Sequence, residues 1–153
     1  MRQVDVLGKV AGLTCAEIYA RLADFAIYPK YSPAVRSVVV SAGDDGRFYS
    51  EWEVSFREGI LRWKEEDIFM PAAYRLRFSQ IEGDIESFDG EWSVVADGPG
   101  GCLVRFSCAF DMGIPGLNDI LEPIAEQALR DNARSIIKGL VPPVEFISAE
   151  DAA

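Results

Sequence analysis

Histidine is absent from this 153-residue chain. Its absence excludes imidazole acid-base catalysis, Ser-His-Asp and Cys-His machinery, and His-ligated zinc. Cysteine is scarce. Cys15, Cys102 and Cys108 are odd in number and lack metal-site spacing, so they read as reduced core thiols and no metal is expected. Positive charge is short too, with 15 Lys and Arg against 25 Asp and Glu, a formal net charge of −10. Nucleic acid and anionic membrane surfaces require clustered cations, so neither is an expected partner. There is no apolar run of the ~20 residues a membrane span needs, and M-R-Q-V-D-V-L-G-K-V has no signal-peptide h-region. The expected location is therefore the cytoplasm. No GxGxxG, P-loop or HExxH motif occurs, which removes the recognisable nucleotide and zincin sites, and no cofactor is expected.

What is present is an ordered succession of short periodic segments. The length suits one domain, read as residues 1–141, with 142–153 as a flexible acidic tail. A strand around Gln3 to Ala11 is followed by Thr14, which can cap a helix carrying Ile18, Leu22 and Phe25, with Glu17 completing a capping box. The prolines of Y-P-K-Y-S-P restrict the next segment to a turn or a second short helix. A strand from Val35 to Ser41 comes next. Turn signals at Gly43-Asp44-Asp45-Gly46, Glu58-Gly59, Pro71-Ala72, Glu82-Gly83-Asp84 and Asp97 to Gly101 then divide five more strands at hairpin spacing, seven in all. From Pro115, Leu117, Ile120, Leu121, Ile124, Ala128, Ile136, Ile137 and Leu140 recur at helical steps. Pro115 fits the first turn of that helix, Pro123 should bend it, and Pro142-Pro143 ends it. The class is α+β: a curved antiparallel sheet covers the long helix's apolar stripe and leaves a space between the two layers.

Strand periodicity assigns the residues facing that space. Phe48, Trp52, Val54 and Phe56 share one face, and Leu61, Trp63, Glu65, Asp67 and Phe69 share the next. Tyr74, Leu76, Phe78 and Gln80 follow, then Phe88, Gly90, Trp92 and Val94, then Val104, Phe106, Cys108 and Phe110. Gly90 reads as a position that leaves chamber space. On the outer faces, Arg62, Lys64, Arg75 and Arg77 can pair with Glu51, Glu53 and Glu66 as a solvated charge ladder. Asn132 lies near the helix's apolar stripe, facing either the sheet or solvent.

Glu65 and Asp67 stand two apart on one strand, with Cβ atoms roughly 6.5–7 Å apart. Inside a chamber, desolvation and mutual repulsion raise at least one pKa and leave a neutral acid able to donate a proton; at a wet mouth they are ordinary solvated groups. Tyr28 and Tyr31 are similarly open between entrance aromatics and packing of the short helices.

The segments F-A-I-Y-P-K-Y-S-P-A-V-R-S-V-V-V, G-I-L-R-W-K-E-E-D-I-F, F-S-Q-I-E-G-D-I-E-S-F-D-G-E-W and V-R-F-S-C-A-F-D-M-G-I-P together resemble the helix-grip proteins of the START-like (SRPBCC) superfamily. The resemblance spans roughly residues 2 to 140 and points to bacterial polyketide cyclases, aromatase/cyclases and coenzyme Q-binding proteins. It implies a seven-stranded curved sheet gripping the carboxy-terminal helix, with two short helices after the first strand. In similar aromatase/cyclases the pocket aromatic before the short-helix proline matches Tyr28, and the fourth-strand tryptophan matches Trp63. The next two inward positions are serine and arginine in those enzymes but Glu65 and Asp67 here, so the charge is reversed. The late-helix asparagine matches Asn132, and Gln80 occupies a further polar position.

The implied task is to bind a hydrophobic polyketide-type small molecule and promote its cyclisation or dehydration. Glu65, Asp67, Asn132 and Tyr28 are the expected chemical groups, with Trp52, Trp63, Tyr31, Phe78, Gln80, Phe88, Trp92 and Phe106 contacting the substrate. A non-catalytic carrier of a quinone, lipid or similar metabolite is the alternative, and an interaction protein is a third reading. A homodimer is left open.

Overall fold

The computed structural model describes residues 2–44, 47–56 and 59–148. Parts of two expected turns, Asp45-Gly46 of the Gly43 to Gly46 turn and Glu58 of Glu58-Gly59, lie outside the described residues. The chain runs β1 (Arg2–Ala11), α1 (Cys15–Leu22), a 3-10 turn (Phe25–Ile27) leading into α2 (Tyr28–Tyr31), β2 (Val35–Ala42), β3 (Phe48–Phe56) and β4 (Gly59–Met70). After a second 3-10 turn come β5 (Arg75–Gly83), β6 (Ser87–Ala96), β7 (Gly101–Asp111), α3 (Asn118–Leu140) and β8 (Val144–Ile147). The strands form one antiparallel sheet in the order β2-β3-β4-β5-β6-β7-β1-β8. This is the helix-grip arrangement, with the sheet curved around α3 and the short helices closing one end.

Local chemistry accounts for α1. Thr14 Oγ1 accepts from the Glu17 amide at 3.1 Å while Glu17 Oε1 accepts from the Thr14 amide at 3.0 Å, the reciprocal box read from the sequence. Ile18 and Leu22 then point into the core. The cysteines are free thiols; Cys15 on α1 meets Cys102 on β7 with their sulfurs 3.0 Å apart, and burial pushes the Cys102 thiol up to about 11.

Five expectations differ from the structure, the last of them Gly90. The sheet has eight strands, because V-E-F-I at 144–147, expected in the flexible tail, pairs with Leu7 to Val10 on the free edge of β1. Its alternation is only four residues long, and Gly8 leaves room for Val144. The long helix starts at Asn118 rather than Pro115, since Ile114 to Leu117 form the turn before it. Leu117 and Ile120 are consequently exposed, and the buried stripe consists of Ala125, Ala133, Ile136, Ile137 and Leu140. Phe48, expected inside, is 43% exposed at the rim, edge-on to Phe69. On the outer face Arg62 pairs with Glu53 at 3.1 Å as expected, but Arg75 and Arg77 both reach Glu91 on β6 and Lys64 lies over the Tyr49 ring. These exposed pairs contribute only a few tenths to ~1 kcal/mol each.

Gly90 does not enlarge the chamber. It lies opposite Phe78 on β5, and a Cβ there would sit 2.4 Å from Phe78 Cζ and 2.5 Å from the Ser107 carbonyl oxygen. The phenyl ring therefore fills the space a side chain would take. Gly90→Ala should destabilise the fold by about 1–3 kcal/mol, the cost of overpacking against backbone. Urea denaturation checks this, with a lower midpoint and an unchanged slope as the expected result.

Candidate functional site

Trp52 on β3 and Trp63 on β4 are direct cross-strand partners, and their rings stack in parallel with centroids 5.8 Å apart. Around them Phe25 and Tyr28 close one end from the short helices, Phe78, Phe88, Trp92 and Phe106 come from β5 to β7, and Leu129, Asn132, Ala133 and Ile136 descend from α3. They enclose an internal cavity of about 70 Å³. A second void of about 30 Å³ lies beyond Val54, Trp63, Leu129 and Asn132, which border both. Leu129 and Asn132 are the partly exposed lining residues, so the mouth lies on that side of α3. A larger concavity of about 840 Å³ lies on the opposite face of the sheet, where Ser79, Gly90, Ser107 and Ala109 are short between the charged rows; it is open to solvent.

Glu65 is on the cavity wall and 3% exposed; Asp67, 2% exposed, lies behind it and does not line the space. Trp63 Nε1 donates to Glu65 Oε1 at 2.8 Å. Ser50 Oγ donates to Asp67 Oδ2 at 2.5 Å and itself accepts from Trp52 Nε1 at 2.8 Å. Burial raises the Glu65 carboxyl well above its ordinary range, with the Asp67 hydrogen bond and charge adding to it and the Trp63 and Ser50 bonds opposing. Asp67 is also raised by burial, and there the bonds from Glu65 and Ser50 pull downward. Asp67 Oδ1 is buried without a fixed donor. A single proton held mainly by Glu65 and shared with Asp67 satisfies these facts; two bare charges do not.

Of the residues expected at the site, Tyr28, Trp52, Trp63, Glu65, Phe78, Phe88, Trp92, Phe106 and Asn132 converge on the cavity. Tyr28 contributes its ring, for its hydroxyl donates to the Leu22 carbonyl. Tyr31 and Gln80 do not line the cavity and are corrected. Tyr31 lies against α3, where a Cβ at Gly139 would collide with it, and Gln80 Nε2 is held by the Ile85 carbonyl. Ser50 is fully buried and was missed, although strand parity places it on the inward face between Phe48 and Trp52. A β-bulge between Lys64 and Glu65 makes Trp63 face Gly83 instead of Glu82, which keeps a third acid off the inner face.

The fold and cavity define a helix-grip protein with an apolar interior chamber. Residues 12–137 match the family described as polyketide cyclase / dehydrase and lipid transport, and the chain belongs to that family, within the START-like superfamily. No curated protein sequence matches it. Among solved structures, a Thermus thermophilus protein superposes with a TM-score of 0.81 at 24% identity, covering 91% of this chain and 94% of that one. The Zhui aromatase/cyclase from Streptomyces gives 0.74 at 18%, covering 88% and 91%. A START superfamily protein from Mycobacterium smegmatis gives 0.74 at 18%, covering 91% and 96%. At these identities the likeness is one of fold. No helix among the described residues is long and apolar enough to cross a membrane.

The acid pair makes stability depend on pH in a known direction. An unfolded glutamate ionises in its ordinary range while the folded Glu65 stays neutral, so its contribution is full below the unfolded pKa. It is lost as pH rises from about 4.5 toward the folded pKa, by up to ~1.4 kcal/mol per pH unit. Glu65→Gln should flatten that decline, which denaturation midpoints from pH 5 to 8 would show.

Proposed function

We propose that the protein binds an apolar polyketide-type intermediate in this cavity and promotes its cyclisation or dehydration, with Glu65 as proton donor. The observation that carries the reading is a buried carboxyl on the wall of an aromatic chamber, with a second buried carboxyl two residues along the same strand; burial raises the first well above its ordinary range. A buried acid of raised pKa is the form that can donate near neutral pH. Asp67 acts through Glu65 and is a positioning residue. Asn132 at the mouth offers an amide to a substrate oxygen, and the rings of Tyr28, Trp52, Trp63 and Trp92 hold reacting carbons close. Admitting a substrate requires Leu129 and Asn132 to swing aside and join the two voids. The family's description and an aromatase/cyclase among the structural neighbours support this assignment, and the cytoplasm is the location we assign.

A second reading, a non-catalytic carrier of a quinone or lipid, draws on the lipid-transport part of the family description and on the apolar walls. Glu65→Gln separates the two. With a polyketide-type hydroxyketone whose dehydration is followed by enone absorbance, the substitution should lower turnover ~10²-fold or more with little change in binding. Wild-type turnover in the variant, or none in either protein alongside tight binding, assigns the carrier role. In the wild-type protein turnover should fall as pH rises through the Glu65 pKa. Asp67→Asn removes the neighbouring negative charge and should move that fall to lower pH.

A further inference from the structure

Resting on the acid role proposed for Glu65, we infer that the cavity is built for positive charge: it takes substrates whose reacting end becomes a cation, such as a hemiketal-type hydroxyl that leaves as water. Donors that could have stabilised an enolate or other oxyanion are turned elsewhere. Trp63 Nε1 is bonded to Glu65, Trp52 Nε1 to Ser50, and the Tyr28 hydroxyl to the Leu22 carbonyl. Among the described residues no lysine or arginine lines the cavity, which leaves the Asn132 amide and the Glu65 acid itself as the donors facing a ligand. Oxyanion stabilisation needs converging donors, and this wall does not provide them.

The same wall suits a cation. Trp52, Trp63, Phe88 and Trp92 line the space, and aromatic rings attract positive charge, most strongly where water is excluded. The Glu65 carboxyl donates its proton to the substrate hydroxyl; the C–O bond breaks and its electron pair leaves on oxygen as water. The carbon left behind is an oxocarbenium ion stabilised by the adjacent ether oxygen and by the Glu65 carboxylate just formed. Return of a neighbouring C–H proton to Glu65 closes a carbon-carbon double bond and restores the acid. The net change is loss of one water, without oxidation or reduction.

A stable organic cation should therefore bind as an analogue of that intermediate. The probes are phenyltrimethylammonium and its neutral isostere tert-butylbenzene, followed by fluorescence of the protein's three tryptophans, all of which line the cavity. At pH 8 the ammonium should bind at least about tenfold more tightly than the isostere. That preference should shrink toward pH 5, where binding must displace the shared proton, and in Glu65→Gln it should be smaller and lose its dependence on pH, leaving the part due to the rings. The titratable groups facing Glu65 are Asp67 on β4 and Tyr28 on α2; β3, β5 and α3 present Ser50, Gln80 and Asn132, which do not titrate. Equal or tighter binding of tert-butylbenzene, or an ammonium preference that does not change with pH, overturns the inference while the cavity stands as a binding site. Quenching by neither probe overturns both. If Glu65→Gln does not fold, the wild-type pH series decides alone.

Discussion

Two carboxyl groups buried side by side in an aromatic interior are not both charged, and the inner architecture is arranged around that constraint. Glu65 and Asp67 are forced onto one face by the two-residue period of β4. An unpaired buried charge costs several kcal/mol, so the strand is tenable only because one proton is retained and hydrogen-bond donors are recruited to the pair. Ser50 and the indole of Trp63 supply those donors directly, and Trp52 orients Ser50. The two indoles that stack across the strands are thus also the groups that anchor the acids, which ties the packing of the aromatic wall to the protonation of Glu65.

Much of this was legible in the sequence because strand parity is rigid. The placement of Trp52, Trp63, Glu65, Phe78, Phe88, Trp92 and Phe106 needed only alternation, and the capping box of α1 needed only Thr14 and Glu17. The failures occurred where a single period does not hold. The bulge at Ile81 resets the register of β5 against β4, so the inward reading of Gln80 did not predict that its amide would be held by Ile85. Helical spacing gives the direction of a stripe but not where the sheet stops covering it, hence the exposure of Leu117 and Ile120. Ser50 was passed over because its polarity masked a position that parity alone assigns to the interior. The strand at Val144–Ile147 is too short for its alternation to stand out beside prolines and acids.

The size of the cavity bears on what the fold is poised to do. Ligand sites for drug-sized molecules usually occupy ≈ 300–1,000 Å³, well above the roughly 100 Å³ of the two voids together. The sheet cannot expand easily, since its strands are paired along their length and Phe78 is locked over Gly90. The side of α3 bearing Leu129 and Asn132 is different, because those residues are only partly buried and separate the two voids. Opening there changes side-chain positions without breaking the ladder, and it leaves the acid pair on the fixed wall. Chemistry is thereby anchored to the rigid layer, and admission is assigned to the adaptable one.

The charge pattern of β4 links fold specification to function. Along this strand Arg62, Lys64 and Glu66 point outward into the solvated ladder, while Trp63, Glu65 and Asp67 point inward. A slip of one residue would exchange the faces, burying Arg62 and Lys64 among the rings and exposing Trp63. A carboxyl can enter such an interior by keeping its proton, whereas a guanidinium does not give up its proton in a protein and stays charged there. The slipped register is therefore penalised by Arg62 far more than the native one is by its acids. The same asymmetry keeps fixed positive charge off the inner face of β4, leaving that wall able to accept a positive charge that arrives with, or develops on, a ligand.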